Sequence, residues 1–194
     1  MSIIKPAADL QKDMQTWRRD IHAHPETAFE EVRTGDVVAA KLEEFGLDVH
    51  RGLARTGVVG TLKCGKGNRA IGLRADMDAL NLLEKNTFDH ASRHPGKMHA
   101  CGHDGHVAML LGAAKILSET KSFDGTVHFI FQPAEENEAG GRVMVEDGLF
   151  DLFPVDAVYG MHNWPGLKPG QIAVKTGPMM ASADNFDIEI SGTG

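Results

Sequence analysis

Apolar residues recur at helical spacing over residues 6–23, where Leu10, Met14, Trp17 and Ile21 fall on one stripe between Lys, Asp and Arg positions. His22-Ala-His24-Pro25 ends that helix, because the residue before a proline resists the helical region. The two histidines there read as a solvated helix end. A second helix is expected from about Phe29 to Phe45, with Val37, Val38, Ala40, Leu42 and Phe45 as its buried stripe and Gly46 as its stop. The period then shortens to strands at Leu47–His50, Val58–Lys63 and Ala70–Ala75, the last two joined hairpin-like by Gly65-Lys66-Gly67-Asn68. Residues 81–98 are polar and irregular, with Pro95-Gly96 marking a turn. A helix over 105–119 is apolar on most sides and is expected to be deeply buried. A strand at Thr126–Phe131, a short helix over 139–147 stopped by Gly148, and a strand at Val155–Gly160 follow. Gln171–Lys175 and Phe186–Ser191 are the last strand candidates.

Strands alternating with helices predict an α/β sheet with helices on its faces. In such sheets ligands bind beyond the carboxyl ends of the strands. Three apolar strands here end in residues able to bind a cation. The first runs into Asp76 and Asp78, the second into Glu135 and Glu136, and the third into His162.

The stretch His99-Ala-Cys-Gly-His-Asp-Gly-His106 precedes the apolar helix. Cys101 and His103 are spaced so that an extended backbone turns both side chains to one side. Thiolate and imidazole are good ligands for zinc and similar ions. A helix opening at Asp104 or Gly105 would also favour a deprotonated thiol near its N-terminus. Thiolate, imidazoles and carboxylates together suit zinc, manganese, cobalt or nickel better than calcium or magnesium, and there are enough of them for two ions. Such ions lower the pKa of water and polarise carbonyls. Neighbouring glutamates can divide the labour of ligand and base, and the sequence leaves open which of Glu135 and Glu136 does which. Asp76 and Asp78 could be ligands, orienters of a ligating histidine, or helix caps. Cys101 as a covalent nucleophile fits the surrounding carboxylates less well than a metal does. There is no Gly-x-Ser-x-Gly elbow and no phosphate-binding Gly-x-x-x-x-Gly-Lys-[Ser/Thr] loop.

Composition narrows the partners. The 194 residues carry a formal net charge of -7, which offers no basic field to a nucleic acid. Two cysteines make no disulfide framework, so Cys64 and Cys101 are expected to be reduced in a cytosolic protein. The Met1-Ser-Ile-Ile-Lys-Pro start lacks a secretory apolar core, and no run approaches the roughly 20 apolar residues needed to cross a membrane.

Four motifs carry a family resemblance: Arg74-Ala-Asp-Met-Asp-Ala-Leu80, Met98-His-Ala-Cys-Gly-His-Asp-Gly-His106, Phe131-Gln-Pro-Ala-Glu-Glu136 and Gly160-Met-His-Asn163. In order and in kind they resemble the dimetal amidohydrolase branch of the M20 peptidases, which includes hippurate hydrolases, N-acyl-amino-acid deacylases and auxin-conjugate hydrolases. The resemblance implies a three-layer, mostly parallel sheet with helices on both faces. It implies Cys101, His103, Glu136 and His162 as metal ligands, Glu135 as general base and Asp78 as a carboxylate behind the ligands. His106 matches the motif without acquiring a role. The implied substrate is a small N-acyl amino acid, and whole members of the family are expected to be homo-oligomers holding two divalent ions. Asn81 stands where the family usually has proline. Members run to about twice this length, with a lid domain inserted. Residues 1–184 are therefore expected to be the N-terminal part of the catalytic domain and 185–194 the start of the lid. Such a piece is expected to hold one metal ion or fewer and to hydrolyse weakly or not at all. An aminopeptidase or dipeptidase of the same metal class, or an inactive metal-binding fragment, are the alternatives.

Overall fold

The computed structural model describes residues 4–182 and 186–192. Contacts divide the chain into two units, residues 1–163 and 164–194.

The first unit begins with α1 (Ile4–Asp9) and α2 (Gln11–Ala23), which meet at Leu10 where one longer helix was expected. After α3 (Val32–Glu44) come β1 (Asp48–Leu53), β2 (Gly57–Cys64) and β3 (Ala70–Asp76). Then follow α4 (His103–Thr120), β4 (Gly125–Gln132), α5 (Gly140–Glu146), α6 (Leu149–Leu152) and β5 (Ala157–Gly160). One sheet collects the strands in the order β1-β2-β4-β3-β5. β3 pairs in parallel with β4 and β5, while β2 runs antiparallel to β1 and β4. Four strands therefore share one direction and β2 alone opposes them.

Helices cover both faces. β4 is buried almost throughout, and its side chains alternate between two cores. Val127, Phe129 and Phe131 meet Ile21 of α2, Val38 and Leu42 of α3, and Val107, Leu111 and Ala114 of α4. Ile130 points the other way, into a smaller cluster with Leu53, Val59, Met144 of α5 and Leu149 of α6. A Cβ on Gly60 would lie 2.9 Å from Leu42, so glycine on β2 lets α3 approach the sheet.

Two expectations are corrected. Residues 65–68 do not close a hairpin, because β4 lies between β2 and β3. The turn instead carries the chain past the start of β4, where Asp124 Oδ1 accepts the N–H groups of Lys66 and Gly67, both at 2.7 Å. A strand buried on both faces needs backbone partners on both sides, and β2 and β3 supply them. The second correction concerns 171–175 and 186–191, in the second unit. Neither is a strand, and Ile172, Val174 and Ile190 are 79%, 86% and 88% exposed. Alternation alone makes no strand, and these segments have no ladder partner among the described residues. The expected boundary at 184/185 falls outside the described residues.

Candidate metal centre

The parallel register sets the site. Asp76 lies opposite Gln132, and Arg74 opposite both Ile130 and Gly160, so β3, β4 and β5 end at one edge. The chain leaves β3 through Met77 and Asp78, leaves β4 through Pro133 to Glu136, and leaves β5 through Met161 and His162. α4 begins at the same edge. Its N-cap Gly102 is left-handed at φ 85°, and a Cβ there would run into the Asn163 side chain, so only glycine fits this approach.

His103 is the centre of the cluster and is wholly buried. Its Nδ1–H donates to Asp78 Oδ1 at 3.2 Å, which leaves a lone pair on Nε2. That Nε2 has no hydrogen-bond partner. It faces Asp76 Oδ2 at 3.6 Å, Glu136 Oε1 at 3.7 Å and Glu135 Oε2 at 4.0 Å. Glu136 Oε1 is also buried without a partner. Cys101 Sγ lies 3.3 Å from His162 Nε2. Donor atoms of Cys101, His103 and His162 lie within 4.8 Å of one another, as do those of His103, Glu135 and Glu136. Acceptor thus faces acceptor in a buried space, an arrangement that costs free energy until a cation sits between them. Softness and number of donors suit a zinc-like ion.

The electrostatics agree. Burial, then the neighbouring Glu136, Asp76 and Glu135, push the Cys101 thiol up to about 12. Without a cation, burial first and the carboxylates second oppose the deprotonated thiol that a nearby helix N-terminus was expected to favour. Burial, then the charges of Glu136 and Asp76, raise Glu135. Burial opposes a charge on His103, but its bond to Asp78 and the charges of Asp76, Asp78 and Glu136 raise it overall. All three shifts describe a pocket with an excess of negative charge, which a divalent cation offsets.

Supporting residues hold these groups from behind. Asp78 is buried, and its Oδ2 accepts the Glu136 N–H at 3.0 Å while Oδ1 holds His103. His106, left without a role by sequence, bonds Asp76 Oδ1 through Nδ1 at 2.6 Å and accepts the Asn163 N–H at Nε2 at 3.0 Å. It fixes the chain just after His162. His22 corrects the reading of a solvated helix end, since it is buried between Asp104 Oδ2 at 2.9 Å and Glu84 Oε1 at 3.1 Å. Arg18 Nε donates to the same Asp104 oxygen at 3.0 Å. Arg18 and His22 are one turn apart beside the Leu10-to-Ile21 stripe, a spacing that hinted at a shared partner. His24 does sit at the helix end, bonded to the Asp20 carbonyl. Glu31, fully buried, was missed altogether. Its Oε1 accepts the Ala134 N–H and its Oε2 the Thr56 hydroxyl, both at 2.8 Å. Cys64 and Cys101 are both free thiols. Among the described residues no helix is long and apolar enough to cross a membrane.

Comparison with known proteins agrees with this geometry. The chain is 46% identical over 194 residues to a hippurate hydrolase of Campylobacter jejuni, covering 100% of this chain and 50% of that protein. It is 47% identical over 189 residues to an N-acyl-L-amino acid amidohydrolase of Geobacillus stearothermophilus, covering 96% and 50%. The fold is similar to the crystal structure of the Bacillus subtilis YXEP protein, described as a dinuclear metal binding peptidase from the M20 family. The TM-score is 0.83 at 41% identity, over 88% of this chain and 48% of that one. The chain spans about half the length of the curated relatives it matches. Residues 72–193 match the description Peptidase family M20/M25/M40, and with the cluster around His103 lying in that span the chain belongs to this family.

Proposed function

We propose that this chain is the metal-binding part of an amidohydrolase that cleaves the amide bond of small N-acyl amino acids. Cys101, His103, Glu136 and His162 hold the metal, and Glu135 is the general base. The observation that carries the reading is the pair of buried, unpartnered atoms His103 Nε2 and Glu136 Oε1, 3.7 Å apart. The names of the relatives supply the substrate class. A bound divalent ion supplies Lewis acidity, lowering the pKa of water and polarising the amide carbonyl.

The residues divide the remaining work. Asp78 keeps the His103 proton on Nδ1, so the Nε2 lone pair stays available. The two glutamates differ in exposure, with the Glu136 side chain 19% exposed and that of Glu135 42%. This supports Glu136 as the ligand and Glu135 as the group that reaches water and substrate. Glu135 takes a proton from the attacking water as the new C–O bond forms. It returns that proton to the amide nitrogen as the C–N bond breaks, so an amine and a carboxylic acid leave. Its raised pKa suits a group that must hold a proton briefly.

The test incubates the zinc-, manganese- or cobalt-loaded chain with hippurate, N-acetyl-methionine and free-amine dipeptides, and detects the released amino acid by mass spectrometry. Slow release from the N-acyl compounds, above the metal-free background and lost in Glu135→Gln, is expected. Cleavage of the dipeptides alone would contradict the substrate assignment.

A further inference from the structure

Glu31 stands at the start of α3, far in sequence from every residue named above as a ligand or base. Its carboxylate is wholly buried, yet among the described residues no cationic side chain pairs with it; its partners are neutral donors, the Thr56 hydroxyl, the Ala134 N–H and its own backbone N–H. A carboxylate so placed contributes little to stability, and an apolar side chain of the same volume would serve a core as well or better. What it does accomplish is visible one residue further along. Ala134 is left-handed at φ 53°, a conformation that crowds the Cβ of a non-glycine residue against its own backbone. Three bonds hold this stretch there. Glu31 takes the Ala134 N–H, the Gly140 N–H donates to the Ala134 carbonyl at 2.9 Å, and Asp78 takes the Glu136 N–H. Two buried carboxylates therefore clamp the backbone on either side of Glu135. The bend at Ala134 turns Glu135 and Glu136 back toward His103.

We propose that Glu31 is a positioning residue: through the Ala134 N–H it holds the bend that aims Glu136 and Glu135 at the metal centre. This rests on the metal-centre reading above. Glu31 touches neither metal nor substrate, and it acts through the backbone. The acceptor oxygen matters rather than the charge, because the donor is a neutral amide.

A double-mutant cycle on the 194-residue chain separates positioning from general stability. Cobalt affinity is read from the absorption of the bound ion, with circular dichroism confirming the fold. Glu31→Ala is expected to weaken cobalt binding about tenfold or more, the range typical of groups that support a ligand. Glu31→Gln keeps an oxygen for the Ala134 N–H and should stay within about twofold of wild type. In a Glu136→Gln background the ligand that Glu31 aims is already impaired, so Glu31→Ala should add less than about twofold. Equal losses in both backgrounds, an unchanged affinity in Glu31→Ala, or a loss in Glu31→Gln as large as in Glu31→Ala would overturn the proposal. Should Glu31→Ala not fold, Thr56→Val replaces it. That change frees the other carboxylate oxygen and should weaken binding by about threefold, only where Glu136 is intact. No cobalt binding by the wild-type chain would overturn the metal-centre reading and this inference together. Binding by wild type with additive losses would overturn this inference alone.

Discussion

His103 and Glu136 face each other across 3.7 Å with a buried, unpartnered atom on each side. With His103 neutral and its proton held on Nδ1 by Asp78, neither atom can donate to the other. Folding has brought two acceptors together and left them short of one positive charge. The predictions below follow from that shortage and from the groups that maintain it.

Asp78 carries two bonds at once, to His103 Nδ1 and to the Glu136 N–H. Asp78→Asn retains one acceptor oxygen and loses the other. Metal affinity in a zinc competition titration should fall by about 10–100-fold, as for other groups that orient ligands. An affinity within twofold of wild type would remove Asp78 from the site.

The two glutamates should separate by metal content. Glu136→Gln should lower the metal bound per chain, because a buried ligand loses its charge. Glu135→Gln should leave metal content near that of wild type and remove the proton carrier. Elemental analysis of both variants after equal dialysis decides this, and the reverse pattern would exchange their roles.

His22 joins α2, the 81–98 loop and the start of α4 through Asp104 and Glu84. Its removal leaves Asp104 wholly buried with one partner fewer and Glu84 without its histidine. His22→Ala should cost about 3 kcal/mol in urea unfolding, the scale for breaking a buried charged pair. A loss below about 1 kcal/mol would restore the reading of a solvated helix end.

His128 lies on β4, remote from the centre, and burial lowers its pKa from the ordinary 6.5. The unfolded chain therefore takes up that proton first as pH falls, and the folded state loses stability through the same window. His128→Gln cannot titrate. With a chelator present, the melting temperature of wild type should fall relative to His128→Gln as pH drops below about 6.5, and the difference should be flat well above that pH. A difference independent of pH would contradict the burial argument.

Much of the site was legible because strand ends are local signals. An apolar run stopping at Asp76, Glu135 or His162 marks a strand end, and parallel strands gather their ends at one edge. The Cys-Gly-His spacing is equally local. What stayed hidden depends on partners distant in the chain. The turn at 65–68 has hairpin chemistry, but β4, which begins at Gly125, takes the place between β2 and β3. His22 looks like a helix end until Asp104, 82 residues away, is brought against it. Glu31 bonds Ala134 across 103 residues, and no periodicity in its neighbourhood marks it as buried. The alternating segments at 171–175 and 186–191 show the converse, a strand pattern without a neighbouring strand to complete it.

The most direct measurement is the zinc stoichiometry of the purified 194-residue chain, by native mass spectrometry, beside Cys101→Ser and His103→Ala. Four donors, Cys101, His103, Glu136 and His162, suffice for one tetrahedral ion and are too few for two well-held ones. The account predicts detectable zinc, at no more than one ion per wild-type chain, and none retained by either variant. No zinc on wild type, two tightly held ions in wild type, or zinc retained undiminished by both variants would contradict it.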